Sequence, residues 1–374
     1  MSARGRVVVG MSGGVDSSLS AALLLDQGYD VVGVAMRLWE SPTGAAGQVE
    51  SGCCSLDDFL DARLVAEKLG IPFYVMDFRD EFRAAVVANF VDEYRRGRTP
   101  NPCVRCNHTV KFASFWDRAC ELGGEWIATG HYARRRDGAS GAELLRGVDR
   151  GKDQSYFLFS MGREALARTL FPVGHLRKEE VRAEAARRGL PVADKPDSQE
   201  ICFAPRGTHA AFVEAHASTE PIVPGRVIGE DGAELATHDG VHRFTIGQRR
   251  GLGISSDRPL YVTDIDRRSG VVRVAGKSRV GSAGLIAREL SWLGSAPRVG
   301  TRVEVQIRSR FEPQAAVVRS ISGDSVTLES TRLEAVAPGQ AAVLYDGERV
   351  LGGGWIERAL AAAVGCETVE GRAS

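Results

Sequence analysis

The sequence predicts an α/β protein, in which an N-terminal open parallel sheet with helices on both faces precedes a small central domain and a C-terminal β-barrel. Three observations predict this order. Short apolar runs alternate with helical patterns from residue 6 to about residue 200, as a parallel sheet requires. A glycine-rich loop joins the first apolar run to the first helical pattern. After about Pro205, short β-branched runs follow one another between Gly, Pro and Asp turns, which is typical of small barrels.

The N-terminal elements are predicted from apolar runs and from residues that end helices. The first helix stops at Gly28, a natural C-terminal cap, and a stripe of leucines from Leu56 to Leu69 is closed by Gly70. The expected strands are 6–10, 31–36, 73–77 and 125–129. The helix that stops at Gly28 is 15–27, and a further helix is expected at 179–188.

The second half of the chain is predicted to be all-β. The expected strands are 261–265, 270–275, 302–307, 316–321, 325–329 and 341–345. The expected domains are an N-terminal α/β domain (1–204), a central domain (205–284), a β-barrel (285–366) and a tail (367–374).

Charge is distributed unevenly along a chain whose formal net charge is zero. Residues 241–310 carry 14 Lys and Arg against 5 Asp and Glu, a local excess of 9 positive charges. Such a segregated basic surface is a candidate contact for nucleic acid, and a solvated face of strands is the alternative interpretation.

The chain has 374 residues and seven cysteines. No apolar run approaches the roughly 18 residues of a membrane span, and the N-terminus lacks a signal-peptide pattern, so we expect a cytoplasmic protein without a membrane partner. An odd number of cysteines in a chain of this length argues against a disulfide scaffold. Reactive or metal-binding roles for some of the thiols therefore have to be considered.

The glycine-rich loop has the sequence GMSGGVDSS, residues 10–18. Kinase-type phosphate loops end in Gly-Lys-Ser or Gly-Lys-Thr, and no lysine stands here, so transfer of a γ-phosphate is disfavoured. Gly13 and Gly14 allow close backbone approach, and the following helix directs N–H groups at an anion. Asp16 is a candidate contact for phosphate-bound Mg²⁺. The loop resembles that of the PP-loop ATP pyrophosphatases, which cleave ATP between its α- and β-phosphates.

Two further stretches, GRTPNPCVRCN and DKPDSQEICF, contain Cys103, Cys106 and Cys202. A CxxC pair alone can bind metal, cycle as a dithiol or be incidental. Together with ATP activation, two thiols permit another chemistry. Adenylation turns a carbonyl oxygen into a leaving group, and a persulfide sulfur can displace it, while a second thiol attacks the persulfide and leaves a disulfide.

Seven motifs together resemble the bacterial tRNA-specific 2-thiouridylases over nearly the whole chain. The motifs are GMSGGVDSS, GRTPNPCVRCN, ATGHYAR, GKDQSYFL, DKPDSQEICF, FTIGQRRGLGI and PGQAAVLYDGERVLGGGWI. The resemblance implies a tRNA-uridine 2-sulfurtransferase that uses ATP and Mg²⁺ to replace the C2 oxygen of wobble uridine 34 in tRNAs for Lys, Glu and Gln. It also implies two partners, the tRNA anticodon stem-loop and a protein that carries persulfide sulfur.

The same resemblance implies that 1–204 is the PP-loop ATP-binding catalytic domain and that 205–284 is the tRNA-contacting domain, and it assigns roles to matching positions. Cys106 is similar to the family's nucleophile, and Cys202 is similar to its persulfide-bearing cysteine. The positions that resemble the ATP site are Gly10, Met11, Ser12, Gly13, Gly14, Val15, Asp16, Ser17, Met36 and Gly130. The positions that match the target-base loop are Asn101, Pro102 and Cys103. The positions that match tRNA contacts are His131, Lys152, Asp153, Gln154, Arg310, Phe311 and Gln340.

The chain departs from the family pattern at two places. Some members have Asp where this chain has Cys103, and Arg-Tyr where it has Arg310 and Phe311. The additional thiol leaves three interpretations of Cys103 open. It is a spectator, or it is an alternative sulfur acceptor, or it binds an iron–sulfur cluster together with Cys106 and Cys202. Two rival functions also remain, namely an ATP-dependent synthetase that forms C–N bonds and a non-catalytic tRNA-binding module.

Overall fold

The molecule has an N-terminal α/β domain, a small central sheet and a C-terminal barrel. The computed structural model describes residues 4–40, 56–197, 201–204, 209–216 and 222–361. The tail predicted for 367–374 lies outside the described residues. Among the described residues no helix is both long and apolar enough to cross a lipid bilayer.

Each helix and strand that the sequence predicts is present, and further elements lie between them. The helices are α1 (Val15–Asp26), α2 (Leu56–Leu69), α3 (Arg79–Phe82), α4 (Ala88–Arg95), α5 (Pro102–Cys106), α6 (Phe115–Glu121), α7 (Arg163–Ala167), α8 (Lys178–Arg187) and α9 (His209–Ala215). The strands are β1 (Arg6–Gly10), β2 (Asp30–Arg37), β3 (Phe73–Asp77), β4 (Trp126–Thr129), β5 (Ala133–Gly138), β6 (Gly141–Arg146), β7 (Thr169–Leu170), β8 (Gly225–Ile228), β9 (Glu234–His238), β10 (Tyr261–Asp266), β11 (Val271–Ala275), β12 (Gly281–Trp292), β13 (Arg302–Gln306), β14 (Gln314–Ser322), β15 (Ser325–Glu334), β16 (Ala341–Asp346) and β17 (Arg349–Leu360).

The N-terminal sheet is parallel, with strand order β3-β2-β1-β4-β7. Its centre is fully buried because Val7, Val8 and Val9 of β1 are each 0% exposed. Successive side chains of a strand point to opposite faces. Accordingly Val7 and Val9 join the core beneath α1 and α8, whereas Val8 joins the core on the other face. Helices therefore cover both faces, and the carboxyl ends of β1, β2 and β4 lie side by side at one edge.

The remaining strands form two assemblies in which most pairs are antiparallel. The central sheet has the order β10-β11-β8-β9, with one parallel pair between β11 and β8. The barrel runs β12-β15-β14-β13-β16-β17, and pairing of β12 with β17 closes it. The predicted fold class is confirmed by this architecture.

One hairpin of the N-terminal domain joins the barrel sheet. Strands β5 and β6 pair with each other, and β6 reaches β17 where Leu145 lies opposite Arg349. The sequence analysis did not predict this hairpin, because β5 is the charged run ARRRDG and lacks an apolar alternation. The barrel and the N-terminal domain also share a core, in which Tyr345 and Trp355 pack in the same cluster as Phe115.

Candidate active site

The loop between β1 and α1 is organised to accept an anion. Gly14 is the extended N-cap residue of α1, so the first helical N–H groups face the loop. The Ser17 hydroxyl accepts a hydrogen bond from the Ser12 N–H (3.2 Å) and donates to the Gly14 carbonyl (3.2 Å). Gly13 has φ +72°, and a Cβ there would lie 2.3 Å from the Asp58 carbonyl oxygen. The loop is thus held from within and closely covered by α2.

The predicted ATP positions converge at the carboxyl edge of the parallel sheet. Met36, near the end of β2, reaches Gly10 so closely that a Cβ on Gly10 would lie 3.0 Å from the methionine methyl group. Gly130 follows β4, and a Cβ there would lie 2.6 Å from the Ser17 backbone nitrogen. Open α/β sheets place their ligands at this edge. The three separate sequence segments therefore line one location.

A lysine that sequence analysis missed reaches the loop from α8. The Lys178 ammonium lies 2.8 Å from both carboxylate oxygens of Asp16, and its residue is 9% exposed. Tyr132 donates its hydroxyl to the same carboxylate at 2.7 Å. Burial and the Asp16 charge raise the pKa of Tyr132, which keeps the phenol protonated as a donor. Lys178 stands 162 positions after Asp16, and no local sequence pattern joins the two residues.

The CxxC segment begins a helix whose start is fixed by its own residues. Asn101 is the N-cap, its side-chain oxygen accepts the Val104 N–H at 3.3 Å, and Pro102 occupies the first turn. Cys103 is exposed, whereas Cys106 is buried at 7% exposure. The two thiols of the pair therefore differ in their access to other molecules.

The barrel holds this segment in place. The Gln340 amide donates to the carbonyls of Thr99 (3.1 Å) and Pro100 (2.9 Å), and its oxygen lies 3.5 Å from the Asn101 amide nitrogen. Next to Cys106, the Arg105 guanidinium lies 4.1 Å above the Trp355 ring. The predicted target-base loop and the helix of Cys106 thus rest directly on β17 and on the turn before β16.

The same arginine pairs with a strained residue of the barrel. Arg105 contacts the Glu289 carboxylate at 3.0 Å. Glu289 has φ +52°, a conformation that costs a residue other than glycine about 1–2 kcal/mol. This strained position occurs within an irregular stretch of the β12–β17 pairing and places a carboxylate beside the helix of Cys106.

Cys202 packs against the same large core cluster that contains Cys106. Cys106 belongs to the core cluster of the face opposite α1, and Cys202 and Met36 both pack against that cluster. Phe203, the next residue, is buried among aromatic rings, with its centroid 5.1 Å from that of Phe90. The adjacent aromatic anchor therefore fixes the backbone that carries Cys202.

No three His, Cys, Asp or Glu side chains in the described ranges are grouped so that they could hold a metal ion. The three candidate cluster ligands, Cys103, Cys106 and Cys202, are accordingly not gathered into such a group. An iron–sulfur cluster stays a hypothesis.

The predicted tRNA positions near β5 divide into internal and outward-facing side chains. The Asp153 side chain, 9% exposed, accepts hydrogen bonds from the Gly147 and Ser155 N–H groups, and Gln154 accepts the Tyr132 N–H at 2.9 Å. Lys152 is more exposed and pairs with Asp197 at 2.7 Å. Of these three consecutive residues, Lys152 is the one whose side chain is placed to meet a phosphate.

Two other predicted contacts, His131 and Phe311, have contrasting environments. His131 is half-buried, with Nδ1 2.8 Å from the Thr129 hydroxyl. Burial, together with the Lys111 charge, lowers the pKa of His131 to about 3, so its imidazole is neutral at physiological pH. Phe311 is 45% exposed beside the exposed Arg310, and the Arg308 guanidinium lies 5.0 Å from its ring. An exposed aromatic face of this kind can stack on an unpaired base.

The hydrogen bonds that the Gln340 amide donates to the carbonyls of Thr99 and Pro100 give a first prediction. Gln340→Leu removes two donated hydrogen bonds and leaves two carbonyls without this donor, so we expect a lower melting temperature, by an equivalent of about 1–3 kcal/mol. We expect the affinity for tRNA to change by less than about threefold, because the side chain is used internally. Calorimetry and filter binding would measure the two effects.

Arg310→Gln is the matched comparison for that experiment. It removes an exposed charge of the same barrel, so it should weaken tRNA binding and reduce its salt dependence, with a smaller change in melting temperature than Gln340→Leu causes. If Gln340→Leu instead weakened tRNA binding as Arg310→Gln does and left stability intact, Gln340 would be a direct tRNA contact.

Comparisons with known proteins agree with this organisation. Three family models match the chain: "tRNA methyl transferase HUP domain" at residues 5–206, "tRNA methyl transferase PRC-barrel domain" at 210–276 and "Aminomethyltransferase beta-barrel domain" at 282–356. A 4-thiouridine synthetase solved with RNA and ATP has 16% identity and a TM-score of 0.36, covering 56% of this chain and 53% of that one. That likeness is too distant to inform on fold or function.

The curated relatives are much closer. The tRNA-specific 2-thiouridylase MnmA of Geotalea uraniireducens is 47% identical over 361 residues, which is 96% of either chain. The enzyme of the same name from Rickettsia bellii is 46% identical over 358 residues, covering 94% of this chain and 96% of the relative. Identity at this level over nearly the full length confirms the resemblance inferred from the motifs: the chain belongs to the tRNA-specific 2-thiouridylase family.

Proposed function

We propose that this protein is an ATP-dependent sulfurtransferase that converts wobble uridine 34 of tRNA to 2-thiouridine. The observation that carries the proposal is the convergence of the anion loop, Met36 and Gly130 at one sheet edge, in a domain whose core also receives Cys106 and Cys202. The relatives that match nearly the whole chain are named for this reaction. The substrates are expected to be the tRNAs for Lys, Glu and Gln.

The loop suits cleavage of ATP between the α- and β-phosphates. The C2 oxygen of the uridine attacks the α-phosphorus, the bond to the bridging oxygen breaks, and pyrophosphate leaves. The α1 N–H groups and the Ser12 and Ser17 hydroxyls can bind the departing anion. Met36 is placed for the adenine. Mg²⁺ enters with ATP as part of the substrate, and Asp16 is the carboxylate that can contact it.

Sulfur transfer then uses both cysteines. The terminal sulfur of a Cys202 persulfide attacks C2, and AMP leaves with the former C2 oxygen. The Cys106 thiolate attacks Sγ of Cys202, the sulfur–sulfur bond to the substrate breaks, and its electron pair stays on the sulfur at C2. The sulfane sulfur is thereby reduced and the two thiols are oxidised to a disulfide, which an external thiol reductant must reopen.

The source of sulfur is proposed to be a persulfide-carrying protein. Cys103 is exposed at the entrance to α5, where an incoming persulfide could reach it. The alternative use of Cys103, Cys106 and Cys202 as cluster ligands is tested by iron analysis after anaerobic purification. A fully active, iron-free enzyme would exclude the cluster.

Mass spectrometry of tRNA tests the proposed function. The protein is incubated with ATP, Mg²⁺, a persulfide donor and tRNA of the glutamate type, and the RNA is digested to nucleosides. We expect one uridine, at position 34, to gain the mass difference between sulfur and oxygen. A transcript with cytidine at position 34 should gain none. Absence of 2-thiouridine with all substrates present, or equal thiolation of both transcripts, would refute the proposal.

A further inference from the structure

The glycine-rich loop has no lysine of its own, but a lysine from a distant part of the chain packs against it. Lys178 is the first residue of α8, and its ammonium is buried against Asp16 at the start of α1. An ammonium has three N–H donors. Two acceptors are the Asp16 oxygens at 2.8 Å, and a third is Asp197 at 2.7 Å. The three carboxylate oxygens therefore match the three donors of the lysine.

Asp197 is the other member of this arrangement. It contacts the cations of Lys152 (2.7 Å), Lys178 (2.7 Å) and Arg182 (3.1 Å). Burial alone would raise its pKa, but hydrogen bonds from Lys152 and Lys178 outweigh burial and lower it, so the carboxylate is ionised. One carboxylate thus links Lys152 near the surface to Lys178 at the ATP loop.

We propose that Lys178 supplies the cation that contacts the leaving pyrophosphate, and that Asp197 is a positioning residue through which tRNA at Lys152 controls this lysine. The inference rests on the proposed function and extends it. Phosphate oxygens entering beside Asp16 offer Lys178 charge-assisted hydrogen bonds in place of the two to Asp16, while the contact with Asp197 is kept. Lysine acts in this way as a point charge on phosphates in other loops.

Competition among the partners of Lys178 determines whether tRNA strengthens or weakens the binding of MgATP. We call this effect of one ligand on the other the coupling. Mg²⁺ that arrives with ATP is attracted to the Asp16 carboxylate and repels Lys178, which then depends more on Asp197. A tRNA phosphate that draws Lys152 away leaves Asp197 a stronger partner for Lys178. Each ligand therefore favours the arrangement that the other needs. By reciprocity, tRNA and MgATP should strengthen each other's binding by the same factor.

Equilibrium binding of α,β-methylene-ATP tests the proposal, because this analogue cannot be cleaved at the relevant bond. For the unmodified protein with Mg²⁺, we expect the analogue to bind about 5- to 20-fold more tightly when tRNA is present. Lys178→Met should weaken the analogue about 10- to 100-fold, and Lys178→Arg should restore part of that loss. Asp197→Asn should reduce the coupling factor to within about twofold of unity.

Arg188→Met is the matched control. Arg188 also joins the end of α8 to α1, through Asp26 at 2.6 Å, but at the far end from the loop. The substitution Arg188→Met removes a cation from the same pair of helices. It should leave both the affinity for the analogue and the coupling unchanged. Circular dichroism melting shows which variants are folded, and Asp197→Asn provides the test if Lys178→Met is not.

Three results would overturn the proposal: wild-type binding of the analogue by folded Lys178→Met, unchanged coupling in Asp197→Asn, or no coupling in the unmodified protein. None of these measurements requires thiolation. A protein that shows the coupling but forms no 2-thiouridine would therefore refute the proposed function and support this inference.

Discussion

Replacing Cys106 or Cys202 by serine is expected to reduce 2-thiouridine formation by about three orders of magnitude or more. A hydroxyl cannot carry a sulfane sulfur, and at neutral pH it is not ionised as a nucleophilic thiolate is. The measurement is the yield of 2-thiouridine per tRNA in a single turnover. Because tRNA binding precedes the chemistry, both variants should keep tRNA affinity within about twofold.

Cys120→Ser is the control for this pair. Cys120 lies exposed on α6, has no assigned role, and its replacement should leave the yield unchanged. Because Cys106 is buried, Cys106→Ser should also lower the free energy of unfolding by about 1–3 kcal/mol. A melting curve separates this loss of stability from the loss of product formation. Full product formation by either active-site variant would contradict the two-thiol mechanism and favour a C–N-forming synthetase.

Gly130→Ala is expected to lower the affinity for ATP by about two orders of magnitude. The added Cβ would lie 2.6 Å from the Ser17 nitrogen and 2.7 Å from the Asp16 carbonyl carbon, and both atoms are backbone. The start of α1 must therefore shift, and with it the N–H groups that bind the anion. Affinity for α,β-methylene-ATP measures the effect, while tRNA affinity should remain within about threefold.

Gly28→Ala is the control for Gly130→Ala. It separates the steric clash of the added Cβ from the backbone strain of placing alanine at a positive φ. Gly28 lies beyond the other end of α1 at φ +83°, and a Cβ there would have no atom within 4 Å. Its replacement costs about 1 kcal/mol of backbone strain without disturbing the loop. If Gly130→Ala bound the analogue as tightly as Gly28→Ala, the placement of the ATP site at this edge would be wrong.

The sequence predicts the parts of the site that are local. The anion loop is a run of adjacent residues between a strand and a helix, so its geometry follows from neighbours along the chain. Parallel-strand topology then explains why Met36 and Gly130 meet that loop, since β2 and β4 both flank β1. The fold class and the family were predictable for the same reason, and both are confirmed.

The contacts that sequence analysis missed depend on packing between distant elements. Lys178 stands in the charged run KEEVRAEAARR and looks like any residue of a solvated helix until α8 packs against α1. Gln340 and Glu289 contact the CxxC segment only because the barrel shares a core with the N-terminal domain. The domain limits, the individual site roles and the cytoplasmic location stay predictions.

The nucleotide products show whether this loop makes pyrophosphate the leaving group when a tRNA oxygen attacks ATP. ATP labelled at the α-phosphate is incubated with tRNA and a persulfide donor, and the labelled product is counted against 2-thiouridine. We expect one AMP and one pyrophosphate for each thiolated uridine, and neither product without tRNA. Formation of ADP and phosphate instead, or thiolation without ATP, would contradict it.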